Sequence, residues 1–190
     1  MAERSRRSAA LAARVVVIGI GNAMRGDDAA GVQVARRMQA STGQSGRCGA
    51  RIEVRALEGE TLALLDAWEG AEAVVLIDAV RSGRAAGTIQ RVDASSGPLP
   101  ESLRGSSSTH AVGVGDAIEL ARALGRLPRR VVLFGVEGHC FDTGARLSPA
   151  VATAAAQLPA TVLSEARRLA SLGEPRGGPC APAVLDGCGE

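Results

Sequence analysis

Three stretches of the chain, residues 15–20, 73–78 and 131–136, are almost unbroken apolar runs of Val, Ile, Leu and small residues, and a fourth lies at 52–57. A strand with one wet face alternates apolar and polar residues, so unbroken runs call for strands covered on both faces. Between them the spacing of apolar residues is helical over 27–39, 61–68, 110–124 and 148–169. Strands alternating with helices predict an α/β fold, a three-layer sandwich whose mostly parallel sheet is flanked by helices on both faces. A shorter alternating piece, 88–92, follows the third run after the brief turn at 81–87. That link is too short for a crossover helix, so 88–92 is expected as an antiparallel edge and as the fifth strand. Ser148 followed by Pro149 marks a helix start, and Gly125 closes the helix that begins near His110.

With 190 residues the chain is long enough for one full core without covalent staples. Residues 1–13 read as a basic N-terminal extension, 14–172 as a single α/β domain, and 173–190, with Pro175, Pro179 and Pro182 among glycines, as a flexible tail. Arg4, Arg6 and Arg7 superficially suggest an export signal, but the following apolar stretch is cut short by Arg14, and the next run belongs to the first strand. No stretch reaches the ~18 apolar residues of a bilayer span, so a cytoplasmic location without membrane contact is expected. Cys48, Cys140, Cys180 and Cys188 form no C-x-x-C pair, which argues for reduced thiols and against a zinc ribbon or redox site. Trp68, Phe134 and Phe141 are the only aromatic residues, and 22 basic side chains nearly balance 20 acidic ones. Stacking platforms and a strong positive field are both missing, which speaks against nucleic acid as a partner.

Ligands of open parallel sheets bind outside the carboxyl ends of the strands. Three polar elements fall there. The first is the turn Gly19-Ile20-Gly21-Asn22-Ala23-Met24-Arg25-Gly26, ending in Asp27 and Asp28. It lacks the G-x-G-x-x-G spacing of a dinucleotide loop, and two carboxylates would repel a phosphate, so a nucleotide-binding protein is a weaker reading. Asp27 is expected to cap the helix that follows. The second element is Asp78, which closes the third apolar run; a charge there must be paired or metal-bound. The third is His110, at a helix start after a serine-rich segment. Asp28, Asp78 and His110 together form an O,O,N set suited to a divalent metal with open positions. No G-x-S-x-G elbow is present, and His139 and Cys140 are chain neighbours that point apart if extended. The Ser- and Gly-rich segment 94–108 reads as a surface loop or flap.

These residues resemble a known family, the maturation endopeptidases of nickel–iron hydrogenases. The resemblance rests on Gly19-Ile20-Gly21-Asn22 with Arg25-Gly26-Asp27-Asp28 and Gly31, on Leu76-Ile77-Asp78-Ala79, on Ser108-Thr109-His110, and on Phe134-Gly135-Val136-Glu137 leading to Leu147-Ser148-Pro149. The four blocks occur in the family's order and span about 14–170. The resemblance implies an α/β sandwich around a mostly parallel five-stranded sheet. It also implies an enzyme that removes a short C-terminal peptide from the hydrogenase large-subunit precursor after nickel insertion. Asp28, Asp78 and His110 would contact the nickel, with Asp28 and Asp78 also catalytic. Glu58 takes the place of a further acidic residue near the substrate, against the alternative of a solvent-exposed loop carboxylate. The nickel would come with the precursor, no organic cofactor is expected, and the protein is expected to act as a monomer. A non-catalytic metal-sensing chaperone of the large subunit would need the same three residues.

Overall fold

The structure, a computed structural model, describes residues 13–41, 51–58, 63–103 and 113–173. Among the described residues, strands β1 (Arg14–Gly21), β2 (Arg51–Glu58), β3 (Ala73–Val80), β4 (Ile89–Asp93) and β5 (Arg130–Glu137) form one sheet in the order β2-β1-β3-β5-β4. β4 alone runs antiparallel, pairing with β5 at the edge, and the other pairs are parallel. Helices α1 (Ala30–Ser41) and α4 (Pro149–Gly173) cover one face, while α2 (Ala63–Ala67) and α3 (Val114–Ala123) cover the other.

Strand alternation divides the apolar residues between two cores. Val15, Val17, Val75, Ile77, Val132 and Phe134 pack under α1 and α4. Val16, Ile18, Val74, Leu76, Val131 and Leu133 pack under α2 and α3. This two-sided burial is the reason the runs have no polar period. β3 extends past Asp78 through Ala79 and Val80, both buried, so Asp78 lies inside the strand rather than at its end. α2 ends at Ala67, one residue before the end of the helical pattern at 61–68, and residues 61 and 62 lie outside the described residues.

α3 ends as its sequence indicates. Gly125 takes a positive φ of 66°, its N–H donates to the Arg122 carbonyl, and the Arg126 N–H donates to that of Ala121. Both bonds satisfy carbonyls at the helix end, in a Schellman arrangement. The segment expected as a surface flap is only partly so. Over 94–103 the side chains of Ala94 and Leu99 are buried in the α2–α3 core, and that of Leu103 is buried as well. The Arg122 guanidinium donates to the carbonyls of Ala94, Ser95 and Gly97, pinning the stretch to α3. The extension 1–12, the remainder of the serine-rich segment at 104–112 and the tail beyond 173 lie outside the described residues. Among the described residues no helix is long and apolar enough to cross a membrane.

α1 approaches β1 closely because two glycines face each other. A Cβ on Gly31 would stand 2.3 Å from the carbonyl oxygens of both Ile20 and Ile77. Gly31→Ala is therefore expected to destabilise the fold by about 2 kcal/mol or more through overpacking, although alanine is favoured in a helix by about 1 kcal/mol. Urea unfolding measures this directly. A variant as stable as the parent would mean that α1 tolerates a wider seat.

Candidate functional site

The site lies where β1 ends, beside the C-terminal part of β3, which includes Asp78. Gly21 has φ 140°, and a Cβ there would meet the Asp28 carbonyl oxygen at 1.8 Å, so the second glycine of the turn makes room for backbone. From Gly21 the chain enters a tight turn in which the Arg25 N–H donates to the Asn22 carbonyl at 3.1 Å. Asn22 serves the turn twice: its Oδ1 accepts the Met24 N–H at 2.9 Å, and its own N–H donates to Asp28 Oδ2 at 3.1 Å. Residues Gly26–Ala29 then form one turn of 3₁₀ helix leading into α1.

Four carboxylates are buried among the described residues: Asp27 at 0% exposure, Asp28 at 1%, Glu137 at 2% and Asp78 at 4%. Their surroundings differ. Asp27, expected as a cap of its own helix, instead reaches across to the segment after β5. It accepts the N–H groups of His139 and Cys140 at 2.8 and 2.9 Å and that of Ser148 at 2.6 Å. Its N–H donates to the Cys140 carbonyl at 2.7 Å. Burial alone would raise its pKa, but the amides of Cys140, His139 and Ser148 outweigh this and hold it below the usual carboxylate range. Glu137 is similarly engaged. Its Oε1 accepts the N–H groups of Ser82, Gly83 and Arg84 at 2.8, 2.9 and 3.2 Å, and its Oε2 accepts the Ser82 hydroxyl at 2.6 Å. In the sequence Glu137 carries the same signal as Asp78, a charge ending an apolar run, and no function is read from it there.

Asp78 and Asp28 form the group that can do chemistry. Asp78 stands beside Gly135 of β5 and shares the α2–α3 side of the sheet with Val74 and Leu76. Its Oδ1 is buried without a hydrogen-bond partner. Burial first, and then the nearby charge of Asp28, push its pKa up to about 8, while the Ala79 amide pulls the other way. A buried acceptor that repels its neighbour is stabilised by a proton or by a cation. The structure thus brings together two of the three metal-binding candidates. His110 lies outside the described residues, and among those described no three His, Cys, Asp or Glu side chains are grouped as a metal would need.

Glu58 is not brought to this pair. It ends β2, is exposed, and forms a salt bridge with Arg36 of α1. Ile52 and Val54 pack toward α1 and α4 while Leu57 packs toward the other layer, so alternation places Glu58 on the sheet face opposite Asp78.

Asp27→Ala is expected to lower stability by about 3 kcal/mol, because it leaves buried amides without an acceptor. Since its folded pKa lies below the ordinary 3.8, the Asp27 contribution is complete above 3.8 and is lost as pH falls through the folded value. The gap between parent and variant should therefore narrow in acid unfolding curves. Asp78 behaves in the opposite sense: its raised pKa means the metal-free protein loses stability as pH climbs from about 3.8 to about 8. Asp78→Asn should remove that slope and be the more stable protein at pH 8, by about 1–3 kcal/mol. Thermal or urea unfolding across this range checks both.

The profile of the HycI hydrogenase maturation protease family matches residues 32–165. Among curated proteins, the chain is 34% identical over 142 residues to the hydrogenase expression/formation protein HupD of Rhodobacter capsulatus, covering 73% of this chain and 64% of that one. It is 30% identical over 141 residues to HupD of Thiocapsa roseopersicina, covering 72% and 60%. The match thus spans less than two thirds of the length of either relative. The hydrogenase maturating endopeptidase HybD from E. coli has a similar fold, with a TM-score of 0.65 at 23% identity over 82% of this chain and 93% of that one. Given the family profile and the HupD identities, the chain belongs to the hydrogenase maturation protease family.

Proposed function

We propose that this protein is an endopeptidase that removes a C-terminal peptide from the large-subunit precursor of a nickel–iron hydrogenase, working as a monomer in the cytoplasm once nickel has been inserted. The observation that carries the reading is the buried Asp28–Asp78 pair, in which the Asp78 Oδ1 has no hydrogen-bond partner. Nickel is here part of the substrate. The residues present suit it: two carboxylate oxygen donors at one sheet edge, with His110 proposed as the nitrogen donor.

Recognition follows from the protonation of Asp78. Without a cation it holds its proton up to about pH 8, so a nickel-free precursor meets a neutral carboxyl that is a poor base. A bound divalent charge favours loss of that proton and leaves both groups as carboxylates. One of them then takes the proton of a water attacking the scissile carbonyl and returns it to the leaving amine. Water as nucleophile suits the other side chains nearby. The Ser82 hydroxyl donates to Glu137, and the Cys140 Sγ lies 3.7 Å from Asp142 Oδ2.

Incubating the protein with nickel-loaded and nickel-free precursor and reading intact masses tests the proposal. Loss of a C-terminal peptide from the loaded precursor alone is the expected result. Asp78→Asn should slow that cleavage by at least ~100-fold, the scale of a missing general base. Cleavage of both precursors would remove nickel from recognition. Binding of a loaded cognate precursor without cleavage would instead identify a metal-sensing chaperone.

A further inference from the structure

Met24 sits on the turn that leads from β1 to Asp28, and its side chain is 66% exposed, more than any other large apolar side chain among the described residues. Single exposed apolar side chains are ordinary and explain nothing by themselves. Met24 differs in how its backbone is held. Its N–H donates to Asn22 Oδ1 at 2.9 Å, and its carbonyl accepts the Gly144 N–H at 2.7 Å from the loop after β5. The next residue is fixed as well, with the Arg25 N–H on the Asn22 carbonyl and its guanidinium on the Phe141 carbonyl through Nε and Nη2 at 3.3 and 3.2 Å. Two loops therefore hold rigidly a backbone whose side chain projects into solvent.

We infer that Met24 is a docking residue for the precursor, taking up an apolar side chain that lies within a few residues of the bond to be cut. This rests on the protease reading and adds a specificity contact to it. Asn22 and Met24 share the turn after β1, and the Asn22 N–H donates to the Asp28 carboxylate, so the exposed Met24 stands two residues from a group bound to that carboxylate. A fixed backbone limits the ordering cost of association. The flexible, polarizable thioether adapts to the partner's shape, and methionine is enriched at protein interfaces. Leu172 supplies a contrast. It is 50% exposed near the end of α4, where its carbonyl accepts from Arg130 at the start of β5, so it lies at the opposite end of the sheet.

The test measures kcat and KM with nickel-loaded precursor for the parent protein, Met24→Ser, Met24→Leu and the control Leu172→Ser, together with urea midpoints. Met24→Ser is expected to raise KM about tenfold, as loss of one interface anchor does, with kcat changed less than about twofold and the urea midpoint unchanged. Met24→Leu should restore KM, and Leu172→Ser should match the parent. An unchanged KM in Met24→Ser, with the parent still cutting, overturns the inference and leaves the protease reading standing. If the parent binds precursor without cutting, the protease reading fails, and Kd then takes the place of KM. A tenfold weaker Kd for Met24→Ser supports the docking contact, and an equal Kd overturns it. A parent that neither binds nor cuts overturns both.

Discussion

The arrangement at the edge of the sheet depends on one buried carboxylate, that of Asp27. It is the acceptor for three amide groups from the segment between β5 and α4, and no water reaches it to do the same work. Through those bonds the turn after β1 and the loop after β5 become one body, although more than a hundred residues separate them in the chain. Asp28 is the next residue, so the position of its carboxylate relative to β3 is set by the anchoring of Asp27. The close seat of α1 on β1, made possible where Gly19 faces Gly31, carries the same turn down onto the strand ends.

Among the described residues four carboxylates are buried around that anchor, and they are treated in two ways. Asp27 and Glu137 receive backbone amides and are structural ties, one between loops and one holding the turn at 82–84 against β5. Asp78 receives too little. Its raised pKa records the cost of confining a second charge beside Asp28 in a poorly solvated place. A pair of this kind responds to what arrives. A proton, or a cation with vacant coordination sites, relieves it.

Much of this was legible in the chain. The apolar runs gave the strands, the short link after β3 gave the antiparallel edge at β4, and the two aspartates that meet, Asp28 and Asp78, are those that the sequence singles out. Misreadings arose where partners are distant in sequence. Asp27 looks like a local cap because a helix follows it, yet its acceptor capacity goes to amides at 139, 140 and 148. For Glu58, which ends a strand at the same edge, the chain did not show the side it takes: strand alternation turns it to the other face, where it pairs with Arg36. The segment after β4 looks like a loose flap from its Ser, Gly and Pro content. Arg122 and three buried side chains hold its first half in place.

Periodicity and composition alone determined the class of fold, because burial on two faces must erase the polar period of a strand and leave helices to cover it. They also determined that acidic residues gather where the strands of the sheet end. Only the tertiary structure decided which acid is satisfied and which is strained. That outcome depends on whether amides from elsewhere in the chain reach a given oxygen. Local sequence says how many donors a segment carries, but the packing of one loop against another decides where they point.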